Sequence, residues 1–403
     1  MTHTRRRFLG AATGAFAGAI AAPSILRAAG GAERLVITNM LPLSGFMAMP
    51  RGEAMEGPSL GIRLAGDLPG ISPSVELLDD EADPGKAVRR VKDAMERDGR
   101  RYFVGPILSS VAAAVSKEIY RNQGVLVTGS GADELTGVDC NRSTFRWSVP
   151  TYGVAKATVG VLMDMYPDAR RWYAIAPKYS FGENLVQHMN DLAVAKKREV
   201  VGTSFHSVRD QDFSGIITAA SNAKPDVLVI FNVAGQALST IREAIGFGMK
   251  ERAKILVPWS FGLQEYRALG PDLTEGLFFG VQYWHKIDTP TNARLVKIAR
   301  EEFNRTPDFG IATTSSLSRI ILEGARKAGS PRAQDVIAAL EGLSYEGLTG
   351  RETIRPGDHQ VLRPYYLLRG KAKAAMTNAD DFCDILAATS EFVDPSASQC
   401  KMI

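Results

Sequence analysis

From residue 34 onward the chain alternates short runs of β-branched and aliphatic residues with stretches whose apolar side chains recur every three or four positions. A run of that first kind suits a buried strand and the second kind a helix with one covered face, so the alternation predicts parallel sheets clothed by helices. Residues 35–40 read as a strand, 52–65 as a helix broken at Gly66, and 75–78 as a second strand. The next helix has Pro84 near its start and carries Ala87, Val88, Val91, Ala94 and Met95 on one face. Strands at 102–105 and 125–128 flank a helix bearing Val111, Ala114, Val115 and Ile119, which completes one doubly wound unit.

A second series of the same type follows Pro150, with strands at 172–176, 200–205, 227–231 and 255–258 between helical stretches. The run 277–283 leads to helical stretches at 292–303, 313–327 and 333–340, placed as a return to the first unit. Strand character at 361–368 suggests a return to the second. Once the first 32 residues are set aside, about 370 remain, more than one hydrophobic core usually serves, so two lobes are expected.

Those first residues have a different character. Thr4-Arg5-Arg6-Arg7-Phe8-Leu9-Gly10, then an uncharged Ala/Gly-rich stretch to Ile25 and small residues around Ala28 to Ala32, read as a cleaved twin-arginine export signal over 1–32. The stretch is too diluted by glycine and alanine for a permanent membrane helix. Residues 1–32 hold four arginines and no acid, so their removal takes the net charge from +4 to zero. Nothing basic is left to favour nucleic acid. Outside the cytoplasm disulfides are permitted, and the polar C-terminal tail would gain from a clasp between Cys383 and Cys400, leaving Cys140 unpaired; the alternative is that all three stay reduced. The five histidines are scattered and no Cys/His spacing fits a metal, so neither metal nor cofactor is expected.

Ligands of open α/β sheets settle where strands end and helices begin. Gly105-Pro106-Ile107-Leu108-Ser109-Ser110 is such a place, where Ser109 or Ser110 either caps the helix or, with its free amides, faces a ligand anion. A second strand-end loop, Thr128-Gly129-Ser130-Gly131-Ala132, offers hydroxyls and close backbone approach. Catalytic signatures are missing: Gly129-Ser130-Gly131 is too compressed for a nucleophile elbow, and the acidic run 79–83 sits in a loop. No enzyme is expected.

Several motifs in order carry a resemblance. Pro42-Leu43-Ser44-Gly45, Gly52 and Gly57, Asp79-Asp80 with Asp83-Pro84, Val104-Gly105-Pro106 with Ser109-Ser110, Leu135-Thr136, Phe145-Arg146, Phe181-Gly182, Asp212-Phe213-Ser214 and Pro225-Asp226 resemble the type I periplasmic solute-binding proteins of branched-chain amino acid importers. That resemblance implies two doubly wound, Rossmann-like α/β lobes joined by three crossovers near Val149, Tyr283 and Gly347. The first lobe then takes 33–149 and 284–347, and the second 150–283 and 348–403. It also implies a monomer that closes on a ligand in the interlobe cleft and presents it to the permease subunits of an ABC importer. The alternative within the family is a sensor that signals to a partner protein.

Carried over residue by residue, the resemblance puts Ser109 on the carboxylate-binding serine and Ser130, Gly131 and Ala132 near the loop that holds a ligand's polar groups. It puts Phe181 where a tyrosine usually stacks. The aligned residue at the usual acidic ammonium partner is Trp259. A buried ammonium without a counter-charge is costly, so the expected ligand is a small carboxylate, an aromatic or 2-oxo acid, or an amino acid if another acid such as Asp133 serves its amine. Phe46 and Trp284 are further candidate aromatic walls, Arg51 a candidate fork for the acid, and Ser110 a second hydroxyl at the helix start; for Phe46, Arg51, Phe181, Trp259 and Trp284 the alternative is ordinary packing or a solvated charge.

Overall fold

In the computed structural model, which describes residues 32–44, 49 and 51–402, the expected alternation becomes two sheets of nearly parallel strands. The first holds β1 (Glu33–Leu41), β2 (Ile71–Asp79), β3 (Tyr102–Val104), β4 (Val125–Thr128) and β5 (Thr144–Arg146), all parallel, in the order β2-β1-β3-β4-β5. The second holds β6 (Arg171–Pro177), β7 (Glu199–His206), β8 (Val227–Ile230), β9 (Lys254–Val257) and β10 (Phe278–Val281) in the parallel order β7-β6-β8-β9-β10. Both sheets therefore have the same doubly wound order, with the winding reversing beside β1 in one and beside β6 in the other.

After β10 comes a small antiparallel sheet of β11 (Ser344–Gly347), β12 (Gly350–Ile354) and β13 (Val361–Leu362). Ile354 and Val361 pack in the core of the first lobe, and Gln360 bridges to Arg146 at the end of β5. The chain thus stays with the first lobe to β13, and the third crossover falls at Arg363, later than the expected Gly347. Gly347 instead opens a tight hairpin into β12. Only then do β14 (Tyr365–Gly370) and β15 (Cys383–Thr389) extend the second sheet, antiparallel to β10.

The helix Arg51–Ala65 is locked onto the helix Phe309–Ala328, which returns to the first lobe as expected. A Cβ on Gly57 would lie 1.9 Å from Thr314 Oγ1 and one on Gly61 2.5 Å from Ser315 O, so the two backbones touch where side chains would hold them apart. The three crossovers are tied side by side. Gln282 accepts from Val149 N at 3.0 Å and returns a bond to Val149 O at 2.9 Å, while Arg363 Nη1 donates to Gln282 Oε1 at 2.7 Å. Gln360 Nε2 donates to Ser148 O at 3.1 Å. All three side chains are buried.

The expected cysteine clasp is corrected. Cys400 is bonded to Cys140, 260 residues away, and Cys383 is a buried free thiol. The reason is that Cys383 begins β15, in register with Gly370, where it faces the core of the second lobe, while the tail beyond β15 crosses back to the first. The export signal lies outside the described residues. Among those that are described, no helix is long and apolar enough to cross a membrane and no cluster of potential metal ligands occurs.

Candidate functional site

The two reversal points of the sheets face one another across a cavity of about 370 Å³. Pro42 and Met49 reach it from the segment after β1, Ile107 and Leu108 from the loop after β3, Tyr179 from the loop after β6, and Val233 to Gln236 from the segment after β8. Four carboxyl-end loops from two lobes thus meet at one place. Three of these lining residues, Leu108, Tyr179 and Val233, stand in the N-cap positions of the helices Ser109–Arg121, Ser180–Ala195 and Ala234–Gly246, and none of the three helices has a side-chain cap. Elsewhere Asp83, Thr289 and Asp308 cap their helices through a side-chain oxygen. These three residues supply no side-chain cap, so the positive dipole ends of the helices are left toward the cavity, with the Ala234 amide already taken by the Glu265 carboxylate.

The candidate residues gather at the same junction. Ser109 is buried, and its Oγ accepts from Ala132 N at 3.3 Å, joining the two first-lobe loops. Ser130 Oγ donates to Pro106 O at 2.8 Å and Ile107 O at 3.1 Å, a further tie between the same loops. From the second lobe Trp259 and Phe181 meet edge to face, centroids 5.1 Å apart, and both press on Gly131. A Cβ on Gly131 would sit 2.7 Å from the Trp259 ring and 3.2 Å from Phe181, so this contact between lobes needs glycine.

None of these residues lines the cavity itself; their chain neighbours Leu108, Tyr179 and Phe261 do. Trp259 is 4 % exposed and Phe181 3 %, so both act as packing between the lobes beneath the cavity wall. Ser110 and Arg51 are exposed at the first turns of their helices. Trp284 packs in the core of the second lobe, 5.6 Å from the Tyr266 ring and 4.3 Å from His285, away from the cavity. Phe46 lies outside the described residues. Asp133 faces another way: its Oδ2 is 2.5 Å from His188 Nε2, and its Oδ1 accepts from Tyr152 N. Burial alone would raise the Asp133 pKa, but His188 and Arg146 hold it below the usual carboxylate range.

The acids that do line the cleft were not singled out by the sequence. Glu53 borders the cavity and a smaller recess of about 50 Å³ behind it, which Asp308, Phe309 and Thr313 also line. Glu53 is paired with Arg305 at 3.1 Å. Asp308 caps its helix by accepting from Ile311 N at 3.1 Å, and burial pushes its carboxyl up despite that bond and the nearby Arg305. Glu265 lies under the cavity wall, where its Oε2 accepts from Ser260 Oγ at 2.6 Å and Phe261 N at 3.0 Å; burial pushes its pKa up to about 7. What the arrangement can do chemically is hold a small molecule between apolar walls with amides aimed at a negative group. No nucleophile and base are paired there among the described residues.

The pattern of a periplasmic binding protein matches residues 37–375. The chain belongs to that family. This binding protein is 27% identical to the Leu/Ile/Val-binding protein homolog 4 of Brucella abortus, over 95% of its own length and 96% of that relative. It is 43% identical to the amino acid ABC transporter substrate-binding protein of Pseudomonas fluorescens Pf-5, whose crystal structure superposes with a TM-score of 0.87 over 92% of this chain and 100% of that one. A solute-binding protein of an R. palustris ABC transporter, solved in complex with benzoate, shares the fold with a TM-score of 0.78 at 21% identity, over 92% of this chain and all of that one. Family membership makes it a non-enzymatic, extracytoplasmic binding protein, similar to the solute-binding components of ABC transporters.

Proposed function

We propose that the cavity between the lobes holds a small organic carboxylate, an aromatic or 2-oxo acid, for delivery to the permease subunits of the importer. The convergence of three uncapped helix N-termini on one cavity with apolar walls carries this reading: the amides and dipole ends favour a negative group, and Tyr179, Phe261 and Met49 favour an apolar body. The benzoate held by one structural neighbour supports an aromatic acid, and the Leu/Ile/Val-binding relative supports an amino acid of similar size. The protein works as a monomer, its lobes closing on the ligand.

Ser109, at the first turn of the helix that follows Leu108, supplies a hydroxyl and an amide beside the expected carboxylate position. Ser109→Ala should weaken the tightest acid of a calorimetric panel by about 1–2 kcal/mol, the scale of a hydrogen bond to a charged group, and barely move the melting temperature without ligand. Unaltered affinity would reduce Ser109 to a tie between loops. Export follows the twin-arginine route in this reading. Changing Arg5 and Arg6 together to Lys should leave the precursor in the cytoplasm, and normal periplasmic accumulation of that variant would contradict it.

A further inference from the structure

After β15 the chain does not stay with the second lobe. Phe392, half-buried, still packs against that lobe's core, and the Glu391 carbonyl lies against Gly153, where a Cβ would come within 2.3 Å of it. One residue later the tail changes lobe. Val393 O accepts from Arg355 Nη1 at 3.0 Å, Asp394 caps a single turn at Pro395–Ala397, and Cys400 is bonded to Cys140 in the loop before β5. Met402 N then donates to Cys140 Sγ at 3.4 Å.

This is a fourth covalent path between the lobes, and it does not run with the other three. It roofs a separate cavity of about 310 Å³ whose walls come from both lobes, Asp133 and Glu134 on one side and His188 on the other. Across that gap His188 Nε2 lies 2.5 Å from Asp133 Oδ2, and Asn184 Nδ2 donates to Glu134 Oε1 at 3.3 Å. Parting the lobes separates these pairs and lengthens the path the tail must span.

We propose that the Cys140–Cys400 bond makes the tail a tether that limits how far the two lobes part. Cys400 lies eight residue steps beyond Phe392, a reach of at most ~27 Å when drawn straight. Part of that length is taken up in the Pro395–Ala397 turn. A small opening unrolls the turn, whereas a larger one has to lift Phe392 off the second-lobe core or break the bond between the sulfurs. Without the bond, only hydrogen bonds and surface contacts hold the end of the tail to the first lobe, and these let go one at a time.

The test uses the mature chain without added solute, in three forms: oxidised, reduced, and Cys400→Ser. Reduction by a small dithiol passes two electrons and two protons to the bond, leaving thiols at Cys140 and Cys400 and the reagent as its cyclic disulfide. Cutting the tether either way should raise the radius of gyration in X-ray scattering by roughly a twentieth over the ~21 Å of a compact chain of this length. It should also speed amide exchange at the cleft loops around Leu108 and Val233, not in the tail alone. Should Cys400→Ser fail to fold, reduction of protein already folded still answers the question. An unchanged radius, with protection lost only over 390–402, would make the bond a local staple and overturn the tether.

Discussion

In matched pairs of ligands, the deaminated or aromatic acid should bind at least about thirty-fold more tightly than the corresponding α-amino acid, a difference of about 2 kcal/mol. The expectation rests on Trp259, which stands two residues beyond β9 where the family resemblance expects an acid and packs its ring on Gly131. An α-ammonium in the cavity above it sheds water and gains no counter-charge from this position. Glu265 is already taken up by Ser260, Phe261 and the Ala234 amide under the wall, which leaves two carboxylates at the cleft to receive it. Glu53 is already paired with Arg305, and Asp308 is committed to its helix cap, so each already has a partner within the protein. Trp259→Glu should narrow or reverse the preference. If calorimetry shows leucine, isoleucine or valine binding the unaltered protein more tightly than its 2-oxo counterpart, the hypothesis fails; loss of that binding in Asp308→Asn would then locate the amine.

Glu352→Ala should cost about 3–5 kcal/mol of stability, the scale of breaking a buried ion pair from one side. Glu352 is fully buried beside the hinge. Its Oε2 accepts from Trp147 Nε1 at 2.8 Å and Tyr345 OH at 2.7 Å, and its Oε1 accepts from Thr349 Oγ1 at 2.8 Å, with Arg363 Nε 3.9 Å away. Burial alone already holds the Arg363 pKa below its ordinary value, and removing the carboxylate leaves that guanidinium stacked on Trp147 with no counter-ion. Urea unfolding measures the loss. Glu352→Gln, which keeps an acceptor, should lose less; a loss below about 1 kcal/mol in the alanine variant would mean that the network does not hold the hinge.

The central parallel strands were legible because they are buried on both faces and so read as apolar runs, unbroken at 227–231 and interrupted only by Thr38 and Asn39 at 35–40. Short pieces gave no such run. β5 has three residues and β13 two, and their place is set by partners far along the chain, Leu126 to Thr128 for one and Thr353 and Ile354 for the other. The same limit hid the cysteine pairing, since nothing near Cys140 in sequence marks Cys400 as its partner. At the site, the strand-end loops were legible by position. The residues that line the cavity were harder to find, because a search for polar groups passes over Leu108, Tyr179 and Val233, whose contribution is to leave a helix end uncapped. Trp284 shows the converse: from sequence alone, an indole in a core and one at a cleft look alike.

The locked pair of helices Arg51–Ala65 and Phe309–Ala328 also governs the order in which the molecule can be finished. When the ribosome has released 300 residues, every strand of the first sheet exists, yet the glycine face at Gly57 and Gly61 has nothing to close against. The second sheet waits longer still, for β14 and β15. Neither lobe is a contiguous stretch of chain, so cutting the gene at a crossover yields two fragments with uncovered cores instead of two stable halves. A single lobe made for separate study has to be spliced, with 33–149 joined to 284–362 for the first.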